Sequence, residues 1–242
     1  MNDVILVACG SSASSILSNA GESFDIPVVF SESGSDMSDV IKGYRVVTVF
    51  ALLGGISGTT DAESILQCAR RLGSRTVSIL GLPMEFESDR RERALESLDS
   101  ISELSDRMFM MDEGMLLKLY PDIKVRRLFP MVAHTMTFTI RTLMDMVRGP
   151  FFSTFYEKAY TFAYVVDMDP VGAVERAMDS SMFETDPELA KTIVAVSSTF
   201  GQAEVDAANS IIARMTGIVP DIVKRRDSED ARILVFLSVL LP

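Results

Sequence analysis

The sequence predicts an α/β protein: a mostly parallel sheet with helices on both faces, a connector helix, and then a smaller α/β domain. Three observations predict it. Short apolar runs, led by Val4 to Cys9 and Arg45 to Leu53, alternate with helical patterns, as in strands buried on both faces. Glycine-bearing turns follow these two runs. A long apolar helical stretch, Pro130 to Val147, closes the alternation, and a different rhythm follows it. The expected boundaries are 1–128, 129–149 and 150–242.

In chain order, Val4 to Cys9 reads as a buried parallel strand, and Gly10-Ser11-Ser12 turns into a helix through Asn19. Ile26 to Phe30 is a shorter strand, and Asp36 to Lys42 a short helix stopped by Gly43. Arg45 to Leu53 is the strongest strand and feeds a glycine turn. Asp61 to Leu72 is then a helix with Ile65, Leu66, Ala69 and Leu72 on one face and Gly73 as its stop. Thr76 to Leu80 is a strand, Asp89 to Leu104 a charged amphipathic helix, and Arg107 to Met111 a strand. This βαβα order requires crossover connections and a parallel sheet. After the connector come a strand Tyr160 to Val166, a helix Val171 to Met178, a strand Thr192 to Ser197, a helix Ala203 to Met215 and a strand Arg232 to Leu240.

Composition narrows the function. Apolar residues are 48% and charged residues 24%, enough for a packed core. A formal net charge of -11 argues against nucleic acid or an anionic membrane as partner. The basic pieces Lys124 to Arg127 and Lys224 to Arg226 are too short to reverse that and read as solvated surface. Cys9 and Cys68 make neither a disulfide framework nor a metal site, and both read as small buried hydrophobes. The methionines, 15 in all, include Met108, Met110, Met111, Met136, Met144 and Met146, and read as core. No secretory leader is evident, and the run Ile233 to Leu241 is too short to span a bilayer, so the expected location is the cytoplasm.

The chemistry is expected in Gly54-Gly55-Ile56-Ser57-Gly58-Thr59-Thr60. Between a buried strand and a helix, such a turn converges backbone N–H groups on an anion while the helix offers its positive end. The glycines permit close approach and unusual backbone angles, and Ser57, Thr59 and Thr60 add hydroxyls. The pattern is neither a Walker loop nor a dinucleotide-binding turn.

The stretch Ala51 to Thr60 resembles the glycine-rich phosphate loop of the FtsZ/tubulin superfamily, Ala-Gly-Met-Gly-Gly-Gly-Thr-Gly-Thr-Gly. The resemblance continues in register. Ala69-Arg70-Arg71-Leu72-Gly73 precedes the strand at Thr76, and Pro83-Met84-Glu85-Phe86-Glu87-Ser88-Asp89-Arg90-Arg91 is similar to the family's Pro-Phe-x-Phe-Glu-Gly-x-x-Arg. It is strongest over residues 43 to 117 and covers most of the chain. It implies a guanine-nucleotide site, with GTP or GDP as the cofactor if there is one, and head-to-tail self-association or co-assembly with an FtsZ-type protein. The implied binding residues are Gly10, Ser11, Ser12, Gly54, Gly55, Ser57, Gly58 and Thr59 for phosphate, and Glu87 and Arg91 for sugar and phosphates. Glu87 and Arg91 also lie four apart, which on a helix reads equally as an ordinary ion pair.

Several departures bear on activity. The first loop, Cys9 to Ser14, has one glycine where the family has a run. About 40 residues separate it from the phosphate turn, where the family has a longer segment. Leu52 and Ile56 stand where the family has glycines near the γ-phosphate. The guanine-reading asparagine has no counterpart in Val132-Ala133-His134-Thr135, which leaves His134 as the candidate base contact. In place of the catalytic Asn-x-Asp-x-x-Asp, Gly149 to Lys158 offers aromatics and one acid, Glu157, with Asp167 and Asp169 further on. The tail that binds division partners in FtsZ is not expected after Pro242. The expectation is therefore an FtsZ-like cytoskeletal or cell-division-related protein with weak or no hydrolysis. The alternatives are a GTPase completed by a partner chain, and a fold reused for small-molecule binding or another enzyme activity.

Overall fold

The computed structural model describes residues 3–19, 24–147, 149–166, 176, 180–183, 192–196, 201–217, 219–224 and 232–239. The chain divides into two compact units, Met1–Met144 and Asp145–Pro242.

The first unit is built on five strands: β1 (Val4–Cys9), β2 (Val28–Ser31), β3 (Val46–Leu52), β4 (Arg75–Leu82) and β5 (Arg107–Asp112). They lie in the order β2-β1-β3-β4-β5, and each neighbouring pair is parallel. Every residue of β1 and nearly every residue of β3 and β4 is buried, which is why the sequence writes these strands as continuous apolar runs. The connecting helices are α1 (Gly10–Ser18), α2 (Ser38–Ile41), α3 (Ile56–Arg71) and α4 (Ser88–Leu104). α3 turns Ala62, Ile65, Leu66 and Ala69 into the core. After β5 come α5 (Gly114–Leu119) and the long α6 (Val125–Val147). Met108, Met110, Met111, Met136, Met144 and Met146 are all buried, as are both cysteines. The sheet order reverses at β1, because the chain steps outward to β2 and then returns past β1 to β3. β1 and β3 are therefore neighbours whose outgoing helices open a crevice at their carboxyl ends.

The second unit contains α7 (Phe151–Thr154), β6 (Ala159–Val166), β7 (Thr192–Val196), α8 (Gln202–Thr216), β8 (Asp221–Lys224) and β9 (Arg232–Val239). β9 pairs antiparallel with both β6 and β7, and β7 pairs parallel with β8. Phe155 is fully buried and makes edge contacts, with ring centroids 5.1 Å apart, to both Tyr160 and Phe236.

The structure corrects several boundaries. α3 begins at Ile56 rather than Asp61, so most of the expected phosphate turn is its first turn. α6 begins at Val125 and holds Pro130 inside it. Proline has no amide hydrogen to donate to the carbonyl four residues earlier, that of Arg126, which is exposed. α5 and β8 were not expected. The expected helix Val171 to Met178 lies outside the described residues, apart from Arg176, which is helical. Among the described residues, no helix is long and apolar enough to cross a membrane.

Candidate functional site

The crevice at the ends of β1 and β3 is lined by backbone. Gly10 takes φ +82°, a conformation side chains disfavour, and this lets the chain leave β1 directly into α1. A β-carbon on Gly10 would stand 2.8 Å from the Cα of Gly58, so the first loop and the start of α3 are in backbone contact. A β-carbon on Gly58 would stand 3.2 Å from the Cys9 carbonyl oxygen. Gly58 is thus needed for space, not for a left-handed angle, because its φ is negative. On the other side, Gly54 takes φ +81° and packs on the Arg90 carbonyl at the start of α4. The Gly54 amide donates to Thr59 Oγ1 at 3.2 Å, and Arg93 Nε donates to the Gly54 carbonyl at 3.1 Å. Turn, helix and neighbouring helix are therefore laced together.

Neither α1 nor α3 has a side-chain cap or an acidic residue in its first turn. Helix geometry leaves the first amides of each helix without intrahelical acceptors, and the dipole adds positive potential there. Ser11 and Ser12 are exposed on α1, Ser57 and Thr59 are half-buried on α3, and Gly55 is the N-cap. Ile56, the first residue of α3, is 83% exposed.

A buried carboxylate that sequence reasoning missed lies behind this turn. Asp61, in α3, accepts from Ser31 Oγ and from the Gly34 amide, each at 3.2 Å. Nothing in its own sequence neighbourhood signals this, because the donors are the last residue of β2 and a residue of the segment that follows it. Burial, with Asp61 nearby, pushes the Cys9 thiol up to about 12, so Cys9 is no nucleophile at neutral pH.

Glu87 and Arg91 do not pair with each other. Glu87 pairs with Arg90. Arg91 forks onto Asp112 at the end of β5, with Nη1–Oδ1 2.9 Å and Nη2–Oδ2 2.6 Å, and its Nη1 also donates to the Pro83 carbonyl at 2.6 Å. The ordinary i,i+4 pair expected on the helix is thereby corrected: Asp112, held also by the Gly114 amide at 2.8 Å, is the better-placed acceptor. Next to it, Glu113 is buried, and its carboxyl is pushed up to about 7, chiefly by burial, with Glu87 and Asp112 adding to the rise and Arg90 opposing it.

The remaining candidates belong to other elements. His134 is exposed on α6. Glu157 is exposed in the second unit, where its amide donates to Tyr160 Oη at 3.0 Å. Phe151 and Phe155 are buried within that unit, whereas Tyr156 is exposed. Asp167 and Asp169 lie outside the described residues. Among the described residues, no cluster of His, Cys, Asp or Glu is arranged to hold a metal.

No family model matches the chain. Among curated proteins, it is 29% identical over 120 residues to cell division protein FtsZ of Mycoplasmopsis pulmonis, a match covering 49% of this chain and 31% of that protein. It is 27% identical over 120 residues to cell division protein FtsZ 1 of Pyrococcus furiosus, covering 49% and 32%. A longer match, 25% identical over 221 residues, covers 86% of this chain and 57% of cell division protein FtsZ of Haloferax mediterranei. The chain thus spans only part of these relatives. Among solved structures, an empty FtsZ dimer from M. jannaschii superimposes with TM-score 0.80 at 14% identity, covering 99% of this chain and 88% of that one. CetZ from Methanosaeta thermophila superimposes with TM-score 0.72 at 15% identity, covering 99% and 87%.

Proposed function

The chain has the fold of the FtsZ/tubulin superfamily, and from that premise we propose that it is an FtsZ-like cytoskeletal or cell-division-related protein of the cytoplasm. On this reading it binds a guanine nucleotide through its phosphates at the Gly10 loop and the first turn of α3, and hydrolyses it weakly or not at all. The observation that carries the binding reading is the backbone contact between Gly10 and Gly58 at the β1/β3 switch point. It brings two uncapped helix starts, free of first-turn acids, into one crevice.

The hydrolysis reading rests on the segment that the family resemblance makes catalytic and on the first residue of α3. Attack on a γ-phosphate needs a water held in line and polarised by carboxylates. In the segment 149–158, Glu157 is the one acid, and it is followed by Lys158. Ile56, the first residue of α3, presents an exposed side chain where the resembled loop has a glycine. Losing several kcal/mol of positioning slows turnover by orders of magnitude, at about 1.4 kcal/mol per tenfold. Self-association or co-assembly with an FtsZ-type protein belongs to the same reading.

Calorimetry with GTP, GDP and inorganic phosphate tests binding, and silence from all three at millimolar concentration removes it. Phosphate release from GTP across a wide range of protein concentration tests hydrolysis, with Glu157→Ala as control. Rapid turnover that rises with concentration and ignores Glu157→Ala contradicts the hydrolysis reading. Sedimentation at high concentration, alone and with an FtsZ-type protein, tests assembly.

A further inference from the structure

The face that α3 turns to the sheet is apolar at Ala62, Ile65, Leu66 and Ala69, yet it carries a carboxylate at Asp61, which is 7% exposed. Burying a charge there is costly unless donors compensate it. Both compensating donors belong to the segment that leaves β2, Ser31 Oγ on one carboxylate oxygen and the Gly34 amide on the other. The segment is also closed on itself, because the Ser35 amide and hydroxyl both donate to the Glu32 carbonyl, at 2.9 and 2.7 Å. Gly34 takes φ +75° within it.

Register places this segment. Ser31 lies beside Cys9, and Cys9 beside Ala51, in one row across β2, β1 and β3. The β2 segment therefore starts one strand spacing, about 4.8 Å, from the Gly10 loop. α3 is held to both structures, through Gly58 to the Gly10 loop and through Asp61 to the β2 segment.

We infer that Asp61 is a positioning residue that makes the segment Ser31–Gly34 a third wall of the phosphate crevice, so that a ligand seated on the first turn of α3 orders residues 32–36. The inference rests on the phosphate-binding reading above. Its mechanism is mechanical: α3 and the β2 segment move as one body because a buried carboxylate bolts them together, and binding at one end of that body damps the other.

Amide hydrogen exchange of residues 32–36, with and without saturating GDP, tests it in the full chain. In the wild type, GDP slows exchange of these amides roughly tenfold. Asp61→Ala abolishes that protection and weakens GDP binding roughly tenfold by calorimetry. Asp61→Asn removes the same charge but keeps a carbonyl to accept the Gly34 amide, and it retains the protection. A pure charge effect moves both variants alike, whereas positioning separates them. If Asp61→Ala does not fold, Ser31→Ala takes its place, with Asp61→Asn as before, and reduces the protection in part. Ligand-dependent protection that survives in Asp61→Ala, or in Ser31→Ala at full strength, overturns the inference while leaving the phosphate site intact. Absence of GDP, GTP and phosphate binding in the wild type overturns the phosphate-site reading and this inference with it.

Discussion

A β-carbon placed on Gly10 would stand 2.8 Å from the Cα of Gly58, closer than any relaxed contact permits. The two turns that flank the crevice are thus seated directly on one another, across adjacent strands. Gly10→Ala meets both this overlap and the cost of φ +82°, and is expected to lose about 2–3 kcal/mol of stability in urea unfolding. Gly58→Ala, whose β-carbon would stand 3.2 Å from the Cys9 carbonyl oxygen, is expected to cost less, and Gly58→Val more than either because its branches have no room. All three should weaken phosphate binding. A Gly58→Val protein with wild-type stability and affinity would show that the two turns do not meet.

Gly54 is expected to be equally intolerant, for a different reason. Its β-carbon would overlap the Arg90 carbonyl oxygen and stand 2.8 Å from that carbonyl carbon, so α4 would have to move. Gly54→Ala should cost about 3 kcal/mol or more. Arg93→Ala removes only the exposed donor to the Gly54 carbonyl and should cost about 0.5–1 kcal/mol. Urea unfolding of both variants provides the comparison, and similar losses would contradict it.

Arg91 is expected to matter for stability before it matters for a ligand. Its truncation to alanine leaves Asp112, a buried carboxylate, with the Gly114 amide, and should cost about 3 kcal/mol. Arg91→Lys should recover little, because an ammonium cannot bridge both carboxylate oxygens. The measurement is thermal unfolding alongside nucleotide calorimetry. Lost affinity at unchanged stability would mean that Arg91 leaves Asp112 for the ligand.

Glu113 makes stability depend on pH in the direction opposite to most carboxylates. Its folded value, raised to about 7 from an ordinary 4.5, means that the folded chain holds this proton after the unfolded chain has released it. Fewer protons bound in the unfolded state make stability fall as pH rises, so this contribution is fully present below about pH 4.5 and is lost on going toward pH 7, at up to about 1.4 kcal/mol per pH unit. Glu113→Gln stays neutral and should therefore gain on the wild type between pH 5 and pH 7.5. Urea midpoints that keep a constant offset across that range would remove the prediction.

The strands were the most legible part of this chain. Burial of β1, β3 and β4 on both faces forces unbroken apolar runs, and such runs need no partner to be recognised. The start of α3 was hidden because Ser57, Gly58, Thr59 and Thr60 are weak helix formers, and contact with the Gly10 loop holds them helical where local propensity does not. α5 is only six residues long and opens on a glycine, so it carries too little periodicity to be seen. At the candidate site, the glycines announced themselves, whereas the polar fastenings did not. Asp61 meets Ser31 across 30 residues, and Arg91 meets Asp112 across 21. A helix pattern suggests only the local choice, Glu87 with Arg91, and the folded chain prefers two other pairings.

The Cys9 thiol gives the crevice a built-in clock. It is sealed at the end of β1 in the row with Ser31 and Ala51, and its upward-shifted ionisation keeps thiolate scarce at neutral pH. Alkylating reagents can consume it only while the end of β1 is transiently open, so the labelling rate counts openings of that corner. In a Cys68→Ser background, the other buried cysteine no longer contributes to the signal. The time course then reads how often the two turns part, without any reporter being added to the chain.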